Sequence, residues 1–185
     1  TITLVGGYKP GGGTDTVARV VANFMADNVG QQVLVEKRAG AGGNIAVDHT
    51  IKSAPDGYTI VLANVGALTV NPHLMKLAYD PLRDLAPVTM AVVFPNIIVA
   101  HPRVQAKTLA EFVKLAKEKP GTITYGSSGI GGAGHLAGAL LEQVAQIQLV
   151  HVPYKGGGPA MRGLLGGEID VYISTPVAAL PHIQS

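Results

Sequence analysis

The chain alternates between short apolar runs and longer stretches with helical periodicity, and this alternation predicts an α/β fold. Residues 2–5, 32–36 and 58–63 are apolar runs of strand length, and the near-continuous apolarity of the third predicts burial on both of its faces. Helices are predicted between these runs, over residues 14–29 and 44–53. The order strand, loop, helix, strand, loop, helix, strand predicts a doubly wound parallel sheet.

The first helix follows three consecutive glycines, Gly11 to Gly13. Glycine permits positive φ and close approach of a ligand to the backbone, and Thr14 or Asp15 can cap a helix whose first amides then point outward. An anion can bind at such a turn, although for a single glycine cluster a tight turn without a ligand is the more economical interpretation. The apolar residues of the helix recur at spacings of three and four, which predicts that they face the core: Val17, Val20, Val21, Phe24 and Met25.

The same succession of elements recurs in the second half of the chain. Strands are predicted at residues 123–126, 149–152 and 170–174, glycine loops at 129–134 and 156–158, and helices at 135–144 and 159–165. Each half therefore has three loops at the carboxyl ends of parallel strands, which is the edge where open α/β sheets bind ligands. Two such lobes enclose a cleft.

The segment between the halves is also apolar and sets the predicted lobe boundary. Residues 88–93 and 96–100 are predicted to be extended strands, and the second of them leaves the first lobe, whose predicted extent is residues 1–100. Residues 101–185 then form the second lobe, which opens with a helix capped by Thr108. In the first lobe, Asn44 is the predicted N-cap of the second helix.

Composition excludes several functional classes. With 185 residues, 47% hydrophobic and 14% charged, the chain can bury a core. The net charge of +2 is scattered and Trp is absent, so no basic stripe with stacking aromatics is available for nucleic acid, whereas a mild preference for small anions remains. The absence of Cys excludes disulfides, and no apolar stretch approaches the roughly 20 residues that would insert into a membrane.

Two glycine motifs invite a nucleotide interpretation. Residues 7–14 superficially fit a phosphate-binding loop, but Gly13 stands where that motif requires Lys, so the interpretation fails. Residues 129–134 match G-x-G-x-x-G between a predicted strand and helix. The acidic residue expected about 20 positions later is missing, which leaves a dinucleotide cofactor as a minor alternative to amides that receive a carboxylate.

Metal and covalent chemistry have little support. The six histidines show no close ligand spacing, and no H-E-x-x-H motif occurs, so no metal site is predicted. Ser127 and Ser128 lack the G-x-S-x-G elbow of a nucleophile. His135 stands at the start of a helix beside the glycine loop, where it can contact a ligand or serve packing and capping equally well.

Several blocks of the sequence resemble the solute receptors of tripartite tricarboxylate transporters, also called Bug receptors. The blocks are residues 8–15, 36–44, 54–59, 71–74, 125–129, 135–138, 151–157 and 165–170. The resemblance implies a two-lobed, Venus-flytrap binding protein of the periplasm, made with a signal peptide, that closes on a small organic acid and delivers it to membrane permease subunits. It implies no catalysis and no cofactor.

The resemblance also implies a ligand site. In the family a carboxylate is held between the first βα loop of one lobe and the Ser/Gly loop of the other, partly through ordered water. Carried over, the ligand-binding residues are Tyr8, Lys9, Pro10, Gly11, Gly12, Thr14, Asp15, Gly66, Ser127, Ser128, Gly131, His135, Tyr154, Gly156, Gly157 and Ser174. The family usually has Val-Pro-Phe-Pro-Pro where this chain has Gly-Gly-Tyr-Lys-Pro, so the substrate is not transferred.

The ligand class follows from charge. Asp15 is the only carboxylate predicted near the cleft mouth, and its place at a helix N-terminus indicates that its charge is engaged. A buried ammonium would lack a partner there, so a di- or tricarboxylate or an aromatic acid is favoured over an amino acid. A nucleotide-dependent α/β enzyme and an acid-sensing regulatory protein are the alternatives. Family members continue past the position of Ser185, so the chain is expected to be truncated at its C-terminus.

Overall fold

The computed structural model describes residues 1–183, which form two sheets with helices on their faces. The first sheet is parallel with the order β2-β1-β3, and its strands are β1 (Ile2–Gly6), β2 (Val33–Lys37) and β3 (Thr59–Leu62). The second sheet has the order β4-β7-β5-β6, and its strands are β4 (Ile97–Ala100), β5 (Thr124–Ser127), β6 (Val150–Pro153) and β7 (Val171–Ser174).

Eight α-helices connect and cover these strands within the described residues. They are α1 (Gly13–Val29), α2 (Asn44–Ile51), α3 (Asn71–Leu74), α4 (Pro81–Asp84), α5 (Leu109–Glu118), α6 (Ala133–Ala145), α7 (Gly157–Leu165) and α8 (Pro176–Ile183). A 3₁₀ turn at Ala41–Gly43 precedes α2, and a π-helical turn at Gly66–Val70 precedes α3. None of the helices in residues 1–183 combines the length and apolarity needed to cross a membrane.

The two halves repeat one topology. In the first sheet β1 lies between β2 and β3, and in the second β5 lies between β6 and β7, with all of these pairs parallel. The predicted recurrence of strand, loop and helix is therefore confirmed, as is the two-lobed α/β class. Because parallel strands present their carboxyl ends at one edge, each lobe carries its three strand-exit loops on one side.

The strand before the second lobe corrects a prediction. β4 pairs antiparallel with β7, so this strand, which the predicted boundary assigns to the first lobe, is an edge strand of the second sheet. Residues 88–93 are not a strand; they are exposed, and no strand of the described part of the chain lies beside them to form a ladder. The exact division at residue 100 stays a prediction.

The buried face of α1 also differs from the prediction. Val20 and Phe24 are 64% and 68% exposed, whereas Ala18 and Ala22 are buried against Leu4. Val21 packs against the same cluster as predicted, and Val17 and Met25 are half-buried, so the prediction holds for these three residues. Val20 and Phe24 are exposed because each lies two positions from a buried alanine, on the opposite side of the helix. The helix ends as predicted at Gly30, which takes the left-handed conformation.

Helix capping is glycine-based in the first lobe. Gly12 and Gly43 are the N-caps of α1 and α2, so neither Thr14, Asp15 nor Asn44 caps its helix as predicted. The reason is that α1 begins at Gly13, one residue before Thr14, and α2 begins at Asn44 itself, so each helix starts directly at its glycine cluster. The predicted cap of α5 is confirmed, since the Thr108 hydroxyl accepts the Glu111 N–H at 3.2 Å.

The residues of β3 are only half-buried, which corrects the expectation of burial on both faces.

Candidate functional site

The two lobes meet through their glycine loops, backbone against backbone. The Lys9 N–H donates a hydrogen bond across the interface to the Lys155 carbonyl at 3.2 Å. A Cβ on Gly12 would lie 3.1 Å from the Gly157 nitrogen, and a Cβ on Gly66 would overlap the Gly131 carbonyl oxygen. The loops approach this closely because they lack side chains, so glycine serves inter-lobe contact here.

A cavity of about 240 Å³ lies between the loops. Its walls come from both lobes and consist of Tyr8, Gly40, Ala41, Gly42, Ser128, Gly129, Ile130, Pro153, Tyr154 and Lys155. Drug-sized ligands occupy pockets of roughly 300–1,000 Å³, so this cavity suits a smaller molecule. Lys155 is the only residue in this lining with a formal charge, and it makes no ion pair within residues 1–183.

Tyr8 forms one wall and braces another. Its buried hydroxyl donates to the Gly42 carbonyl at 2.8 Å and accepts a hydrogen bond from the Asn64 amide. Burial raises the pKa of Tyr8 well above its usual value, so the phenol is neutral and remains a donor. Tyr8 therefore fixes the loop after β2 at the distance that keeps the cavity open.

The two neighbouring serines have different roles. The Ser127 hydroxyl is buried, lies 2.7 Å from His151 Nε2, and accepts the Gly129 N–H at 3.2 Å. It therefore holds the loop together and is committed to protein partners. The Ser128 hydroxyl has no hydrogen-bond partner among residues 1–183 and lies in the cavity wall, where it is available to a ligand.

Two stacked histidines, His135 and His151, contact the loop that contains Ser127 and Gly131. The rings of His135 and His151 are 4.2 Å apart, and Tyr125 stacks on His151 at 4.8 Å. Burial lowers the pKa of His135 and lowers that of His151 from 6.5 to about 4. Both rings are thus neutral near pH 7, and the His135 Nδ1 accepts the Gly131 N–H at 3.1 Å.

Asp15 is engaged away from the cavity. Its carboxylate pairs with Lys37 and lies 3.3 Å from both the Arg19 Nε and the Gly11 nitrogen. Burial opposes ionisation, but the hydrogen bond from Lys37, reinforced by Gly11 and Arg19, lowers the pKa of Asp15 below its usual value. Asp15 consequently stays charged and paired, and it does not line the cavity.

The predicted site residues fall into three groups. Tyr8, Ser128 and Tyr154 line the cavity. A second group forms the contact between the lobes or supports its loops, and it contains Lys9, Pro10, Gly11, Gly12, Gly66, Ser127, Gly131, His135, Gly156 and Gly157. Thr14, Asp15 and Ser174 are not brought to the cavity wall, and the Ser174 hydroxyl donates to the Thr175 carbonyl at 3.3 Å.

Sequence reasoning missed part of the wall. Gly40, Ala41 and Gly42 follow β2, and Pro153 ends β6. The glycine cluster after β2 was a usable signal, because it stands at the carboxyl end of a parallel strand like the loops that were assigned to the site.

The electrostatics of the cavity favour an anion. Four helices of both lobes, α1, α2, α6 and α7, begin in the glycine loops that meet here. The lining residues Gly42 and Lys155 directly precede the N-caps of α2 and α7, and Ile130 lies two residues before that of α6, so the partial positive charge of these helix starts lies near the wall that holds Lys155. Within residues 1–183 no cluster of three or more His, Asp or Glu side chains is arranged to hold a metal ion.

Comparison with known proteins gives a consistent result. Residues 17–185 match the family model described as "Tripartite tricarboxylate transporter family receptor". Protein BugT of Bordetella pertussis is 39% identical over 186 residues, which cover 100% of this chain and 57% of BugT. The chain spans about half the length of the curated relatives that it matches.

Solved structures show the same likeness. Rpa4515 of R. palustris, determined with adipate, superposes with a TM-score of 0.94 at 30% identity and covers 100% of this chain and 62% of its own. MatC from Rhodopseudomonas palustris, determined with bound malate, superposes with a TM-score of 0.92 at 31% identity and covers 100% of this chain and 63% of its own. Both neighbours hold small dicarboxylates.

Proposed function

The chain belongs to the family of tripartite tricarboxylate transporter receptors, and on that premise we propose that it binds a small organic carboxylate between its lobes. The receptor acts in the periplasm and delivers this acid to permease subunits of the transporter. One observation carries the proposal: a cavity of about 240 Å³ lies between glycine loops of both lobes, and among the described residues that line it Lys155 is the one with a formal charge. The Lys155 ammonium and the Ser128 hydroxyl can both donate hydrogen bonds to a carboxylate there.

The favoured ligand is a small dicarboxylate, a tricarboxylate or an aromatic acid without a free ammonium group. Among residues 1–183 no carboxylate lines the cavity, and the carboxylate of Asp15 is already paired with Lys37 and Arg19. A buried ammonium would be left without a negative partner, which is costly. The malate and adipate in the two neighbouring structures agree with this choice.

Binding without catalysis is part of the proposal. The Ser127 hydroxyl and His151 are within hydrogen-bond distance, but both lie below the loop, and Ser127 is buried away from the cavity. The G-x-G-x-x-G motif at residues 129–134 faces Gly42 and Gly66 of the other lobe, and the space that remains is smaller than a drug-sized pocket. This space is too small for a dinucleotide.

Calorimetric titration tests the proposal directly. The purified chain is titrated with malate, adipate, succinate, citrate, benzoate, aspartate, glutamate and NAD(H). We expect saturable binding of at least one acid that has no ammonium group, and no binding of NAD(H). Binding of NAD(H) with silence from every acid, or of the amino acids alone, contradicts the proposal. Capture of the loaded receptor by permease membranes separates a transport role from acid sensing.

A further inference from the structure

Asn71 is a polar side chain buried at the junction of the two lobes. It begins α3 in the first lobe and has 0% exposure. A Cβ on Gly131 would overlap its amide oxygen, and a Cβ on Gly42 would lie 3.3 Å from its amide nitrogen. Asn71 thus lies directly behind the cavity wall, against a glycine loop from each lobe.

The nitrogen end of this amide is fixed within the first lobe. Asn71 Nδ2 donates to Asn44 Oδ1 at 2.9 Å, and the Tyr79 hydroxyl lies 3.1 Å from the same oxygen. The Tyr79 hydroxyl also lies 3.1 Å from the Ala67 carbonyl. These contacts determine the orientation of the Asn71 amide and aim its oxygen at the second lobe.

The oxygen end has no donor. Asn71 Oδ1 is buried without a hydrogen-bond partner among residues 1–183, and so is Thr175 Oγ1, which packs against Gly13. Both atoms lie where one lobe touches the other. Their burial is therefore a consequence of lobe contact, and separation of the lobes would return them to water.

A buried acceptor without a donor opposes the state that buries it. We propose that Asn71 is a positioning residue that couples lobe closure to ligand binding, because its amide oxygen must be desolvated whenever Gly131 closes over it. The free-energy cost of desolvating this oxygen disfavours closure of the ligand-free receptor, and the interactions of the ligand with both lobes offset that cost. The inference rests on the proposed carboxylate-binding function.

Two substitutions have opposite expected effects. Asn71→Asp is nearly isosteric but places a charge where closure removes water, so it should favour the open form and weaken ligand binding at least about tenfold. Asn71→Ala removes the oxygen, while Asn44 keeps its contact with Tyr79, so it should favour closure and tighten binding by up to about tenfold.

The test measures lobe separation and affinity together. The chain has no Cys, so spin labels can be attached at cysteines introduced at the exposed residues Asn23 and Gln143, one on each lobe. Without ligand, the label distance should be longer in Asn71→Asp and shorter in Asn71→Ala than in the parent. Malate and adipate serve as the ligands for affinity.

Asn44→Asp is the matched control. Asn44 is buried inside the first lobe and belongs to the same network, so its charge stays buried in both the open and closed forms. Asn71→Asp loses the hydrogen bond that the Asn71 amide donates to Asn44, and Asn44→Asp buries a charge, so both should lower the melting temperature of the ligand-free protein, but only Asn71→Asp should lengthen the label distance. Equal label distances in both Asn71 variants, or shifts in the same direction, would overturn the coupling role. If the parent binds neither acid, the proposed function fails instead.

Discussion

Gly66 offers the sharpest test of how the lobes meet. A methyl group at this position would overlap the Gly131 carbonyl oxygen. Real Cβ atoms come no closer than about 3.0 Å to such a neighbour, and here the contact would be more than an ångström shorter. Because both partners are backbone, no side chain can rotate away and the loops must separate. We expect Gly66→Ala to lose the ligand contacts that the second lobe supplies.

The magnitude follows from those contacts. One or two hydrogen bonds to a carboxylate contribute about 1.5 kcal/mol each, so their loss costs about 1.5–3 kcal/mol, or about tenfold to a hundredfold in Kd. Stability should move the other way. Gly66 starts a helical turn with φ outside the left-handed region, and alanine is favoured over glycine in helices by about 1 kcal/mol.

Titration calorimetry checks the expected loss of affinity, and thermal melting of the ligand-free protein checks the expected gain in stability. Gly6→Ala is the control, because a Cβ there meets its nearest neighbour, the Glu36 carbonyl oxygen, at an ordinary 3.7 Å. Parent-like affinity for malate or adipate in Gly66→Ala would refute the idea that the ligand is bound with the lobes in this contact. A large fall in melting temperature would instead show that Gly66 is needed for folding of the first lobe.

Three further predictions concern the second lobe. Ser127→Ala should destabilise the protein by about 1–3 kcal/mol in urea unfolding, because it leaves the Gly129 N–H unpaired. Ser128→Ala should keep the stability of the parent and lose ligand affinity. The reverse pattern would invert the two roles. Lys155→Gln should weaken acid binding more at low than at high ionic strength, and a salt-independent loss would indicate contact or packing in place of charge. Burial lowers the pKa of His151 from 6.5 to about 4, so the neutral ring contributes stability that is complete above pH 6.5 and is lost as the pH falls towards 4. The melting temperature of the parent should therefore fall more steeply over that range than that of His151→Gln. Parallel curves of melting temperature against pH would contradict this.

The repeated α/β architecture could be predicted because it depends on local periodicity. Apolar runs and glycine loops alternate at the same spacing in both halves, and each feature acts within a few residues of the chain. The buried face of α1 was predicted only in part, because the helix packs on the sheet through Ala18 and Ala22 beside the predicted Val21. The pairing of β4 escaped prediction because an antiparallel partner 71 to 77 residues away leaves no local signature.

The candidate site was predictable in outline only. Glycine loops at strand ends indicated where a ligand could lie, but the functions of Ser127 and Ser128 depend on which way each side chain points at the end of β5. Asn71 illustrates the same limit. Its importance comes from contact with Gly131 of the other lobe, and no pattern within residues 71–74 encodes that contact.

The antiparallel pairing of β4 with β7 places the entry to the second sheet beside its exit. Ile97 lies opposite Ser174, so the chain enters this sheet and leaves it at the same end and in adjacent strands. α8 then continues from this exit and packs on α1 of the first lobe and on α7 of the second. Because α8 is continuous with β7 and also contacts α1, any change in the angle between the lobes has to change the packing of α8 on α1.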